Sequence, residues 1–326
     1  MSLGPMWALT QAGPSRLRWS QAPSPAPEAL SEGEVLLRVL AGGICGSDLP
    51  FFQGHRSPAV APGAAGFPLH EIVGEVIASR YEPIGVGQTV VGWATGQNGL
   101  AEYVVSAGHS LHAYSPGLDP VTAVLLQPLA CVLYAVEQIG DVTGKHAAVL
   151  GVGPIGALFA HVLKTQGAAK VIGVDRVDRS DVQAVLGIDE FVHADVSTWA
   201  AGLADADRPY LLVEAIGHQV ETMTAAIQAC AYEGKVFYFG IPNDAVYPIP
   251  MTMLLRKNMT LSSGVTALPA RRRVLAAAED YLARFPELID ACLASPYKFS
   301  DAEAAFEAAV RPRTGQMKVT LDIGAH

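Results

Sequence analysis

The sequence predicts an α/β protein, with a doubly wound parallel sheet in the rear of the chain and a compact β-rich module in front of it. Three observations carry this. Residues from Met6 to about Leu118 fall into short β-like segments divided by turn residues. From about Val121 strands and helices alternate. The turn Leu150-Gly151-Val152-Gly153-Pro154-Ile155-Gly156 links an apolar strand to a helical run.

In chain order, Met6-Trp7-Ala8-Leu9 reads as the first strand, after an irregular lead of five residues. Further strands are expected around Glu34 to Val39, Ile72 to Ile77 and Ala101 to Val105. Between them, Phe51 to Pro68 is rich in Pro, Gly and Ala and reads as a surface loop that, with the surroundings of Tyr114, would shape a substrate pocket. Apolar residues then recur at helical spacing through Val132, Ala135, Val136 and Ile139. The parallel sheet is read from Ala147 to Leu150, Val171 to Val174, Leu211 to Val213 and Lys235 to Phe239, whose carboxyl ends are the expected ligand side. Helices at Arg272 to Leu282 and Asp301 to Val310 precede a last strand, Met317 to Leu321.

The glycine turn has the chemistry of a pyrophosphate cradle. Gly151 allows the tight turn, Gly153 lets the backbone approach phosphate, and Gly156 lets the helix pack on the strand, while Pro154 and Ile155 open that helix with its amides facing the anion. Asp175 ends the next strand, 19 residues beyond Gly156, and suits a ribose 2′-hydroxyl, so NAD is expected over NADP. Arg176 beside it either covers the adenine or reaches a 2′-phosphate.

A second constellation lies in front: Gly43-Ile44-Cys45-Gly46-Ser47-Asp48, then His70-Glu71. Thiolate, imidazole and carboxylate together suit a catalytic zinc with one open position. With Ile72 to Val76, Gly99 to Tyr103, Pro128-Leu129-Ala130-Cys131 and the glycine fingerprint, in this order, the chain resembles the medium-chain zinc-dependent alcohol dehydrogenases, nearest the sorbitol and threonine dehydrogenase branch. The resemblance implies a Rossmann domain inserted into a GroES-like β-rich catalytic domain: residues 1–122, 123–265 and a return at 266–326. It implies Cys45 and His70 as zinc ligands, Glu71 as a ligand or support of the site, and Ser47 as the hydroxyl that passes on the substrate proton. It also implies that Ile216 and Gly240 line the cofactor and that Lys318 points toward the pyrophosphate or into solvent.

Three departures are visible. Gln127 stands where an anionic ligand is usual, so its amide is a weaker candidate ligand, with Cys45 and Glu71 left to balance the zinc charge. Pro50 replaces a relay histidine, for which His55 is a possible substitute. The four-cysteine lobe is missing, so one catalytic zinc and no structural zinc are expected.

The implied reaction is NAD-dependent oxidation of a secondary alcohol of a polyol, sugar or cyclitol, or reduction of the matching ketone. The alternatives are a zinc-free quinone or enoyl reductase and a silent NAD-binding regulator. With 326 residues, net charge -9 and no basic stripe, the chain offers nothing to nucleic acid or anionic lipid. Its apolar runs read as broken short of a membrane span and no secretory pattern appears. Its four scattered cysteines suit a reducing compartment, so a cytoplasmic protein is expected, and the family resemblance implies a homo-oligomer, dimer or tetramer.

Overall fold

The structure, a computed structural model, describes residues 3–55 and 63–324. Six parallel strands, His146–Leu150, Lys170–Asp175, Glu190–His193, Leu211–Glu214, Lys235–Tyr238 and Thr260–Ser263, form one sheet in the spatial order 3-2-1-4-5-6. The direction of winding reverses between His146–Leu150 and Leu211–Glu214, and the crevice above that pair is where such sheets bind ligands. The four inner strands carry buried apolar runs, Ala147 to Leu150, Val171 to Val174, Leu211 to Val213 and Val236 to Phe237, because helices cover both faces, while the two edge strands are part exposed.

The second sheet is built mainly from antiparallel strands of the front module. Glu34–Gly43 pairs with Glu71–Ser79 and Tyr103–Ala107, and Thr89–Trp93 and Leu111–Ala113 extend the sheet outward. The end of the chain returns to it, for Thr320–Asp322 pairs antiparallel with Glu34–Gly43. A hairpin stands at the start, its first strand Met6–Gly13 containing the expected Met6 to Leu9 and its second, Arg16–Ala22, without a sequence assignment.

Between the sheets lies the helix Leu126–Ile139, whose buried residues join one apolar core containing Val73 and Trp93 in front and Val149 and Val213 behind. With the preceding turn of helix, Pro120–Ile139 is long and apolar enough to cross a membrane, which departs from the reading that every apolar run is cut short. Its window is 61% buried inside the protein, as befits a helix between two sheets.

Two further expectations change. The segment from Phe51 begins within a short helix, Leu49–Phe52, because Phe52 is fully buried against Phe306; residues 56–62 of the expected loop lie outside the described residues. Tyr114 packs into the core rather than lining a cleft, and burial pushes its phenol up to about 12. The strands Glu190–His193 and Thr260–Ser263 and the helices Val196–Gly202 and Glu221–Ala229 had no sequence assignment.

Candidate active site

Antiparallel register brings the front constellation together. Gly43 sits opposite Glu71 on the neighbouring strand, so the loop that leaves Gly43 carries Cys45 over His70. Ligand atoms of Cys45, His70 and Glu71 all lie within 4.8 Å of one another. A Cβ on Gly43 would collide with the Glu71 carboxylate, so only glycine permits this approach.

Asp48, named in the sequence only as part of a motif, organises the trio. Its Oδ1 accepts from His70 Nδ1 at 2.7 Å and its Oδ2 from the Cys45 amide at 2.9 Å. His70 is thereby oriented with Nε2 as its free donor atom, the arrangement that metal-binding histidines use. Burial opposes the imidazolium, but Asp48 and the Cys45 sulfur outweigh it and hold the His70 pKa well above its usual value.

Glu71 is 1% exposed and forms an ion pair with Lys318, itself 2% exposed. Lys318 also donates to the Ile44 carbonyl at 3.0 Å. It therefore points beneath the trio, neither to a pyrophosphate nor to solvent, because pairing of Thr320 with Gly43 carries the preceding residues under that loop. Burial disfavours the ammonium, yet the charge of Glu71 leaves the Lys318 pKa raised. The Glu71 charge is thus already matched, which removes it from the expected balance of a zinc dication.

Gln127 is buried on the helix Leu126–Ile139. In the orientation that satisfies both ends of its amide, the oxygen accepts from Trp93 Nε1 at 2.6 Å and the nitrogen donates to Glu71 Oε1 at 3.2 Å. Ser47 is half-buried and its hydroxyl makes no hydrogen bond among the described residues; it caps no backbone amide. His55 is exposed and does not line the cleft.

That cleft, about 650 Å³, has Cys45, Ser47, His70, Glu71 and Gln127 on one wall and Ile155, Ile216 and Gly240 on the other. A second cleft of about 480 Å³ holds Gly151, Gly153, Asp175 and Arg176, and shares Ile216 with the first. Cys45, Ser47, His70, Glu71, Gln127, Gly151, Gly153, Ile155, Asp175, Arg176, Ile216 and Gly240 therefore line one of two adjoining spaces, whereas Pro154, Gly156, His55, Tyr114 and Lys318 line neither. Pro154 opens the helix Pro154–Thr165, and a Cβ on Gly156 would overlap the Gly151 carbonyl, so these two shape the turn. A Cβ on Gly153 would meet nothing within 4 Å, so the absence of a side chain there serves whatever enters the cleft and not the packing.

Asp175 steadies the same turn. Its oxygens accept from the amides of Val152 at 2.7 Å and Val177 at 2.8 Å, leaving lone pairs toward the cleft. Glu214 does the equivalent at the next strand end, accepting from the Ile216 and Gly217 amides at 3.2 and 3.0 Å, although burial still raises its pKa. From that turn His218, with φ 59, spans the two walls: Nε2 lies 3.2 Å from the Gly46 carbonyl and Nδ1 lies 2.8 Å from Asn243 Oδ1. No spacing in the sequence pointed to His218 or Trp93, since both reach the site by tertiary packing.

Residues 31–117 match the family described as alcohol dehydrogenase GroES-like domain, and residues 154–279 that described as zinc-binding dehydrogenase. L-idonate 5-dehydrogenase (NAD(P)(+)) of Escherichia coli K12 is 26% identical over 262 residues, 70% of this chain and 75% of that enzyme. Sorbitol dehydrogenase of Halalkalibacterium halodurans is 30% identical over 192 residues, 50% of this chain and 54% of its own length. The solved structure of alcohol dehydrogenase TADH from Thermus sp. ATN1 superposes with a TM-score of 0.82 at 23% identity, over 98% of this chain and 100% of that one, which establishes the shared fold.

Proposed function

The chain belongs to the zinc-binding alcohol dehydrogenases, and from that premise we propose that it oxidises a secondary alcohol of a polyol, sugar or cyclitol with NAD, or reduces the matching ketone. The observation that carries this is the facing of the Cys45, His70 and Glu71 trio and the Ile216 and Gly240 wall across one cleft. The polyol class is supported by the relatives, which act on idonate and sorbitol. The direct test is zinc content and NADH formation with a panel of polyols.

The donor set fits zinc: a thiolate, an imidazole fixed by Asp48 and a carboxylate within one coordination sphere. Zinc held there would supply Lewis acidity toward the alcohol oxygen, and NAD in the adjoining cleft would supply a hydride acceptor. The chain does the rest. Cys45 and His70 would hold the ion, and Glu71, tied to Lys318 and Gln127, would support the site or enter it. Gln127, its oxygen already accepting from Trp93, positions Glu71 in preference to binding metal itself. Ser47, whose hydroxyl makes no hydrogen bond among the described residues, accepts the proton of the substrate hydroxyl as it passes its own to solvent. The apolar wall keeps water from the reacting carbon. A zinc-free reductase would have no use for Asp48 holding His70 at a thiolate.

Gly151, Gly153 and Gly156 would cradle the pyrophosphate of NAD with Pro154 and Ile155 at the helix start, and Asp175 would select NAD over NADP, with Arg176 exposed on the same cleft. Gly153→Ala is expected to keep the thermal midpoint within about 2 °C and to weaken NADH binding, followed by nicotinamide fluorescence, by about tenfold or more. Asp175→Ala is expected to shift the NADP-to-NAD ratio of kcat/KM toward NADP by about ten- to a hundredfold, since it removes the charge that repels a 2′-phosphate.

The domains run over residues 1–122, 123–265 and 266–326, in keeping with the two sheets and the returning strand. One zinc per chain, at Cys45, His70 and Glu71, and no structural zinc is the proposed content. The exposed edge strand Thr260–Ser263, with Val246, Met251 and Leu255 exposed nearby in sequence, supports a homo-oligomer, dimer or tetramer. Free cysteines suit a cytoplasmic setting.

A further inference from the structure

Three consecutive arginines open the helix Arg271–Arg284, and they are treated differently. Arg273 turns outward and grips Glu137 with both terminal nitrogens, at 2.8 and 2.7 Å. Arg272 lies over the Tyr81 ring, 6.0 Å from its centroid. Arg271 turns into the cleft, where its guanidinium stacks on Trp93 at 4.6 Å and Nη1 donates to Ser110 Oγ at 3.0 Å. Its Nε is buried without an acceptor, and among the described residues Nη2 has no partner and no carboxylate forms an ion pair with Arg271. Glu71 is the one carboxylate lining this cleft, and Lys318 holds it. A half-buried cation has been left without a counter-ion, and burial lowers its pKa accordingly.

We infer that the substrate itself brings the counter-ion: it carries a carboxylate or phosphate that Arg271 binds at the far wall of the cleft. The planar fork of a guanidinium suits both groups. Trp93 sets the spacing. One indole separates Arg271 from Gln127, whose amide touches Glu71, so the anion sits several carbon atoms from the reacting alcohol. Thr266, 7% exposed and lining the same wall, has a hydroxyl without a hydrogen-bond partner and is placed to meet a further oxygen of such a chain. This assignment rests on the alcohol dehydrogenase reading above and narrows its substrates, within the polyols and sugars named there, to polyol acids or polyol phosphates.

The test compares C4 to C6 aldonates and polyol phosphates with their neutral polyols, on zinc-loaded wild type, Arg271→Met and Arg271→Lys. Wild type is expected to favour one charged class. Arg271→Met should lose about a hundredfold in kcat/KM for that class and less than about threefold for neutral polyols. Arg271→Lys, which keeps charge and loses the fork, should fall between and serves should the methionine variant not fold. Calorimetry of gluconate, sorbitol 6-phosphate and sorbitol on the NADH complex gives a readout independent of turnover. Tighter binding of an anion to wild type, lost in Arg271→Met, supports the assignment even where no alcohol is oxidised, a result that would count against the dehydrogenase reading alone. Preference of the wild type for neutral polyols, or equal losses on charged and neutral ligands, overturns it.

Discussion

Cys45→Ala is expected to purify without its zinc and to lose at least about a thousandfold in kcat, while NADH still binds. The sulfur is the one anionic donor of the trio whose charge no neighbour already matches, since Glu71 is held by Lys318. Removing it leaves an imidazole and a compensated carboxylate, too little negative charge for a dication. NADH binding should survive because the cradle at Gly151, Gly153 and Asp175 belongs to the other sheet. Zinc analysis alongside NADH fluorescence checks both halves of the expectation. Full zinc occupancy in Cys45→Ala would show that the ion binds elsewhere.

The second large effect is expected at a position far from any motif. Lys318→Met should destabilise the metal-free protein by about 3 kcal/mol, because it leaves the Glu71 carboxylate buried and unmatched. Glu71→Gln alone should strand the ammonium in the same way. The double variant, which buries no lone charge, should be less destabilised than the sum of the two, and urea unfolding of all four forms measures the coupling. Strict additivity would mean that the two side chains do not share their charges as the geometry indicates.

Legibility in the sequence followed the range of the interaction involved. The glycine turn was legible because each glycine answers a local demand: Gly151 has φ +84, and Gly156 lies against the Gly151 carbonyl. The strands flanking it were legible because burial on both faces writes continuous apolar runs. Glu190–His193 was not, since an edge strand with exposed ends carries little apolar signal. The same limit applied to the site. Cys45 and His70 stand out by ligand chemistry, but what surrounds them depends on register: Gly43 opposite Glu71, and Thr320 opposite Gly43. That second pairing sends Lys318 under the trio, 274 residues from its partner Ile44, and no local pattern encodes it. Trp93, which holds Gln127 and carries Arg271, arrives by the same kind of long-range packing.

X-ray absorption at the zinc edge of freshly purified wild-type protein tests the central claim most directly. The account predicts one zinc per chain with a single sulfur at about 2.3 Å and nitrogen or oxygen donors at about 2.0 to 2.2 Å, the sulfur signal vanishing in Cys45→Ala. A shell of several sulfurs, or protein that is free of zinc yet fully active toward alcohols, would contradict it.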